Sequence, residues 1–455
     1  MASNSSNLLL AYYGDDFTGS TDVMEALSQA GLRTVLFLEP PSKEQLDAYD
    51  GLRAYGIAGG SRAMTVAEME THLPPAFDSL KSSGAPIVHY KMCSTMDSSA
   101  YVGSIGKAIE IGRQVFGDGL TPLVVGAPVL ARYVAFGNLF ARSGLDSEPF
   151  RLDRHPTMRQ HPVTPMRESD IRLILKEQTS LPVELIDCLT LDSIPDQVPS
   201  FKTKPSPIVL FDTVRNEHLP VIGKMLDSWA TGDQLFTVGS SGVEYALVEY
   251  WKQSGQFSDE NSVASSAVSR SPDSETTLEK RVPSICCVSG SCSPVTDRQI
   301  RYASDQGWMD IGLCPEELIA DGDWNQVIDQ ATMALDRDIS VIFHSSRGPE
   351  DPRVLSGLGE SQLDRLCRSL SNLLERLINR TGCQRAVVCG GDTSMRVARE
   401  LGIKALEYLG PMAPGSPLCR VHAPGRIVDG GEFVFKGGQV GRDRFFLDVL
   451  QGYPC

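Results

Sequence analysis

The chain has 455 residues, 41% of them apolar, too many for one domain of ordinary size and enough for well-packed cores. Its 57 acidic and 42 basic side chains leave a net charge of −15, which excludes nucleic acid as the main partner, because phosphate backbones require a basic face. The 11 cysteines include no C-x-x-C pair, so they predict reduced, buried thiols rather than a disulfide or zinc framework, and no apolar run is long enough to span a membrane. Together these features predict a soluble, cytoplasmic enzyme.

Residues 8–12 read as a buried parallel strand that runs into Gly14, Asp15, Asp16 and Gly19, with a helical pattern from Thr21 onward. Ligands of open α/β sheets bind beyond the carboxyl ends of such strands, which puts Asp15 and Asp16 at a ligand position. Two adjacent carboxylates there repel and lose solvation, a penalty that a cation or a hydroxyl needing a base offsets. Equally, one of them can cap the following helix. Further strands are predicted at 34–38, at 54–58 before Gly59, Gly60, Ser61 and Arg62, and at 87–90 before Lys91 and the loop CSTMDSS. Others fall at 123–125, 208–211 and 235–238, the last before Gly239, Ser240, Ser241 and Gly242. The alternation predicts a mostly parallel sheet with helices on both faces.

Residues 254–281 are rich in Ser, Glu and Asp and poor in large apolar residues, a composition that predicts a flexible linker. Beyond it the alternation restarts, with strands at 284–288, 340–343, 385–389, 405–408 and 433–435. The expected fold is therefore α/β in two domains, 1–253 and 282–455, each a mostly parallel sheet flanked by helices, with the active site in the cleft between them.

Gly390-Gly391-Asp392-Thr393-Ser394 lies between a strand and a helix pattern. Paired glycines let backbone approach a ligand, and the N–H groups opening a helix suit phosphate. Asp392 can hold a metal or cap the helix. The sequence contains no Walker A motif. SGSCSPVT (289–296) and KGGQVG (436–441) are further small-residue loops, and PMAPGSP (411–417) reads as a rigid wall beneath a planar base. In the first domain, Asp15, Asp16, Arg62, Lys91 and Asp97 all fall near strand ends. Arg and Lys suit a small acid, whose hydroxyl proton an aspartate can take. Lys91 and Asp97 can equally be a surface pair of little weight. His155 and His161 lack the spacing of a zinc site.

Taken together, GDDFTGSTD, HYKMCSTMDSS, HPVTPMRESD, SGSCSPVTDRQ, GGDTSMRVARELGI, PGSPL and FKGGQVG resemble the signatures, in order, of the four-carbon acid sugar kinases. The CST-x-DSS and HP-x-TPM segments resemble most the branch acting on 3-oxo-tetronates. The resemblance implies an amino-terminal sugar-acid domain, a carboxy-terminal nucleotide domain, and ATP-dependent phosphorylation, with Mg²⁺, of the C4 hydroxyl of a tetronate. It implies ATP contacts at Ser291, Gly390, Gly391, Asp392, Thr393 and Gly438, and sugar-acid contacts at Asp15, Asp16, Arg62, Lys91 and Asp97. Asp16 is the expected base, with Asp15 or Asp97 as substitute, and no residue is assigned to metal. D-threonate and D-erythronate are alternative acceptors, and a homodimer is an open assembly. Two other readings stand beside the kinase. A HAD-type phosphatase would need D-x-D spacing, whereas these aspartates are adjacent. A two-lobed sugar-acid sensor would not need phosphate-type loops.

Overall fold

Strand β1 (Leu10–Gly14) is buried at every position, as a central parallel strand must be. In the computed structural model, which describes residues 8–143, 147–161, 163–193, 199–201, 203–256, 281–355 and 357–452, the chain divides into two compact units. One comprises Met1–Thr34 and Glu39–Ser269, the other Val35–Leu38 and Arg270–Cys455. Most of the segment read as a linker, 257–280, lies outside the described residues. No helix among the described residues is long and apolar enough to cross a membrane.

Strand β2 (Thr34–Phe37) is followed in the first unit by β3 (Ala54–Ala58), β4 (Ile87–Lys91) and β5 (Thr121–Val124). A small antiparallel sheet is then built from β6 (Arg132–Ala135), β7 (Asn138–Arg142) and β8 (Pro149–Arg151). Strands β9 (Val183–Ile186), β10 (Ile208–Phe211) and β11 (Leu235–Gly239) complete the large sheet, ordered β3-β1-β4-β11-β5-β10-β9 and parallel throughout. Its register sets Gly14 beside Ala58 and Lys91, and Lys91 beside Gly239. Four polar loops therefore leave one edge at the same level. Beneath them, Tyr13 stacks on Tyr90 at 6.0 Å, and Phe77 meets Tyr13 edge-on at 6.0 Å. Each such buried side chain contributes roughly 1.5–3 kcal/mol.

The second unit holds β12 (Cys286–Ser289), β13 (Met309–Gly312), β14 (Val341–His344), β15 (Arg385–Cys389), β16 (Ala405–Ala413), β17 (Ser416–His422) and β18 (Glu432–Lys436). Strands β13-β14-β12-β15-β18 are parallel, and β17 and β16 extend the sheet antiparallel. Its core gathers Ile285, Cys287, Ile342, Val387, Val434 and Phe445.

Two expectations need correction. The segment read as a strand of a mostly parallel first sheet runs antiparallel to β16, with Phe37 opposite Ala405 and Val35 opposite Glu407, and its residues Val35–Leu38 fall in the second unit. Its fully buried TVLF sequence suits either sheet, because pairing is decided by distant residues. The PMAPGSP stretch, read as a rigid loop, is the end of a hairpin. Ala413 and Ser416 are paired, so Pro414 and Gly415, the latter at φ +72°, make the tight turn of the β16–β17 hairpin. The ten described cysteines are all free thiols, and among the described residues no cluster of His, Cys, Asp and Glu could hold a metal ion. His155 and His161 serve loops instead, each Nδ1 accepting backbone N–H groups.

Candidate active site

On the first unit the backbone gathers three loops. The Asp15 N–H donates to the Lys91 carbonyl, the Gly59 N–H to Gly14 and the Arg62 N–H to the Asp15 carbonyl. This pins Arg62 beside the aspartates. Its Nε and Nη2 donate to Asp15 at 3.1 and 2.7 Å, and its Nη1 and Nη2 each donate to Asp16 at 2.9 Å. Asp16 also caps the helix Phe17–Gln29, accepting from the Gly19 N–H at 2.8 Å. Cap and ion pair, set against each other by the sequence, are thus roles of one side chain. Gly19 is required at this position, since a Cβ there would lie 2.5 Å from Asp16 Oδ1 and 3.1 Å from Lys91 Nζ.

Burial pushes the Asp15 carboxyl above its ordinary value; Arg62 pulls it back, and the charge on Asp16 adds to the push. Burial also opposes the Arg62 charge, but the Asp15 and Asp16 carboxylates outweigh it and hold the guanidinium protonated. Lys91 is buried, donates to the Met92 carbonyl at 3.3 Å and lies 3.9 Å from Asp22. The Cys93 N–H donates to Asp15 at 3.2 Å, and its thiol donates to Asp97 at 3.2 Å. Asp97 also accepts from Thr95 at 2.8 Å. The thiol is inert as a nucleophile: burial, with Asp97, pushes it up to about 11.

The five predicted residues are therefore one connected cluster, and Lys91 and Asp97 are not a surface pair. Sequence reading missed three members. Asp22 follows Asp16 by six positions, accepts from the Ser241 hydroxyl, and is raised by burial against the pull of Lys91. Ser241 sits in the glycine-serine loop after β11, a signal that was visible. Cys93 lay inside a quoted motif, where nothing marked its backbone N–H as the donor.

On the second unit the rim is made of small residues. Gly390 has φ +114°, which glycine tolerates, and opens the helix Gly391–Glu400 without a side-chain cap. A Cβ on Gly390 would lie 2.8 Å from Thr393 Oγ1, and one on Gly290 only 2.4 Å from it. A Cβ on Gly438 would lie 2.6 Å from Ser291 Oγ. The Ser291 hydroxyl donates to Thr296 at 3.2 Å, and Thr296 donates to the Gly438 carbonyl at 2.8 Å. Lys436, fully buried, donates to Thr296 at 3.0 Å. Thr296 and Lys436 were not predicted. Asp392 is exposed in the first turn of its helix, where it forms no cap. Close-packed glycines, hydroxyls and a helix N-terminus of 10 residues make a cradle of the kind polyphosphates occupy.

A charged cluster lies at the strand ends of one α/β unit and a glycine-rich rim on the other, and the comparisons give the class, a phosphotransferase. Residues 10–247 match a family model described as a sugar-binding N-terminal domain, and residues 286–446 one described as a nucleotide-binding C-terminal domain. A 3-oxo-isoapionate kinase from Paraburkholderia graminis is 42% identical over 98% of this chain and 94% of its own. A 3-oxo-tetronate kinase from Pseudomonas fluorescens is 26% identical over 97% of this chain and 96% of its own. One from Pectobacterium atrosepticum is 27% identical over 98% and 99%. The chain belongs to the four-carbon acid sugar kinase family, and it is an enzyme of the kinase class. A crystal structure from Salmonella typhimurium LT2 matches with TM-score 0.73 and 22% identity over 98% of this chain and 99% of its own. One from Haemophilus influenzae matches with TM-score 0.67 and 21% identity over 97% and 99%. These two likenesses concern the fold alone.

Proposed function

We propose that the protein transfers the γ-phosphoryl group of ATP, with Mg²⁺, to a hydroxyl of a small 3-oxo sugar acid. The first acceptor to test is 3-oxo-isoapionate, because the relative of that name shares 42% identity, against 26% and 27% for two 3-oxo-tetronate kinases. The second is 3-oxo-tetronate, accepting at its C4 hydroxyl; D-threonate and D-erythronate follow. The acid is assigned to residues 1–253 and the nucleotide to 282–455.

The observation that carries this reading is the Asp15–Arg62–Asp16 cluster, whose two aspartates differ in access. The Asp16 side chain is 28% accessible and that of Asp15 only 5%. Asp16 is therefore the group that can reach a substrate hydroxyl and take its proton, while Asp15 anchors Arg62 from below. Lys91 adds positive charge beside them. In the second unit the N–H groups at Gly391, Asp392 and Thr393, with Ser291 and the Gly438 loop, suit the phosphates of ATP. The fit rests on bare backbone at Gly290, Gly390 and Gly438, where a Cβ would collide with the Thr393 or Ser291 hydroxyl. Mg²⁺ is held in such sites by one or two carboxylates together with phosphate oxygens and water, and the exposed Asp392 can serve as that carboxylate. The ion would neutralise phosphate charge. Phosphoryl transfer asks the protein mainly for alignment and for neutralised charge, and both sets of residues are of that kind.

The test is ADP release from ATP and Mg²⁺ with each acid in turn. The reading predicts acid-dependent release that is fastest with 3-oxo-isoapionate. Equal release with and without every acid would contradict it.

A further inference from the structure

Arg62 has been the natural candidate to grip the carboxylate of the substrate, but its hydrogen bonds are committed. Nε, Nη1 and Nη2 all donate to Asp15 or Asp16. Lys91 is buried, with its ammonium against the Met92 carbonyl and Asp22. Neither cation offers a free planar fork.

Arg132 does. It stands at the first position of β6, where the loop leaving β5 closes on itself. Its N–H donates to the Ala127 carbonyl at 3.1 Å, and the Ala127 N–H donates back at 2.9 Å. Strand β5 pairs in parallel with β11, which pairs with β4, so this loop leaves the same edge as Lys91 and the CSTMDSS segment. Ala131, immediately before, is held at φ +56°, a left-handed conformation unusual for a residue with a Cβ and found preferentially at functional sites. Only Nη1 of Arg132 is used by the described residues, and it donates to the carbonyls of Leu130, Ala131 and Arg142 at 3.1, 3.3 and 3.4 Å. Nε is buried and meets no acceptor. Nη2 makes no hydrogen bond to the described residues either. The Nε–Nη2 edge is the side of a guanidinium that takes a carboxylate in two parallel hydrogen bonds. A buried donor without an acceptor is rare, and a ligand that supplies one accounts for it. Burial lowers the affinity of this guanidinium for its proton, while the Asp97 carboxylate acts in the opposite sense, which places Arg132 within electrostatic reach of the acidic cluster.

We propose that Arg132 is the residue that recognises the substrate carboxylate, through its Nε–Nη2 edge, and that Arg62 instead braces the two aspartates. This rests on the sugar-acid kinase reading. Nη1 already secures the loop through three carbonyls, and engaging the Nε–Nη2 edge leaves those three bonds in place.

The experiment compares wild-type, Arg132→Gln and Arg132→Lys proteins on 3-oxo-tetronate or 3-oxo-isoapionate, whichever the wild type phosphorylates faster, and on the amide of that acid. Thermal midpoints and KM for ATP are measured alongside. Removing a charge-assisted pair of hydrogen bonds should raise KM for the acid roughly 10- to 100-fold in Arg132→Gln. The preference of acid over amide should collapse, and KM for ATP should not move. Arg132→Lys, which keeps the charge and loses the fork, should fall between. A merely structural role would lower the thermal midpoint and affect acid and amide alike, and that result overturns the assignment. Unchanged KM for the acid overturns it too, while leaving the kinase reading intact. If the wild type phosphorylates neither of these acids, nor D-threonate or D-erythronate, the kinase reading fails and takes this assignment with it.

Discussion

The two rims, proposed above to take a sugar acid and ATP, are built from different groups. The first unit uses long charged side chains, with Arg62 shared between two aspartates and Lys91 buried beside Asp22. The second uses what lies close to the backbone, with glycines at 290, 390 and 438 packed against hydroxyls of Thr393 and Ser291. A small sugar acid presents hydroxyls and one carboxylate, which must be told from similar groups and one of which must lose a proton. That task needs directional, titratable side chains. A triphosphate is a dense, repetitive anion for which rigid N–H groups and a helix terminus suffice. The contrast also divides the risks, because the first rim stores unfavourable buried charge while the second stores steric tightness.

Substitutions can break that contrast selectively. The largest effect is expected from Asp16→Asn, which keeps the helix cap and removes the base. Turnover should fall roughly 10²- to 10⁴-fold with ATP affinity retained, checked by ADP release and nucleotide titration. Retained turnover would move the base elsewhere. Next comes Arg62→Met, which strands two carboxylates, one of them buried. Urea unfolding should show a loss of roughly 3 kcal/mol, and a neutral result would mean that the cluster is not under electrostatic tension. Smaller still is Gly290→Val, whose Cβ would meet Thr393 Oγ1 at 2.4 Å. Overpacking of this kind costs about 1–3 kcal/mol, and ATP affinity should drop by about tenfold while acid binding stays unchanged. Equal loss of both ligands would contradict the division of labour.

The smallest effect concerns pH. Burial raises the Asp15 carboxyl, so the folded chain holds that proton more tightly than the unfolded chain does. Ionising it therefore subtracts stability as pH rises from the ordinary carboxylate value of about 3.9 through the higher folded value. Urea unfolding across that window should show the loss in the wild type and a shallower one in Asp15→Asn. Identical slopes would contradict the direction of the shift.

Local patterns gave away the strands that carry both rims. Residues 54–58, 208–211 and 385–389 are strands with the bounds read from sequence. They are short, mostly apolar runs ended by Gly or Asp, a signal that needs no tertiary information. The sheet to which residues 35–38 belong was not readable, because partner choice depends on β16, more than 360 positions away. Half-buried strands such as β6, β9 and β13 lack an apolar run and passed unseen. In the site, the aspartates, Arg62 and Lys91 were readable from their place after strands. The Arg62 fork, the Asp22–Ser241 contact and the Lys436–Thr296 bond were not, since each joins side chains from distant parts of the chain.

The most direct test of the division between rims is hydrogen–deuterium exchange of the whole chain with a non-hydrolysable ATP analogue and Mg²⁺, and separately with the sugar acid. The account predicts that the nucleotide protects amides in 289–296, 390–394 and 436–441, and that the acid alone protects 15–22, 61–63 and 91–98. Protection of 15–22 by the nucleotide alone, with 390–394 unaffected, would contradict it.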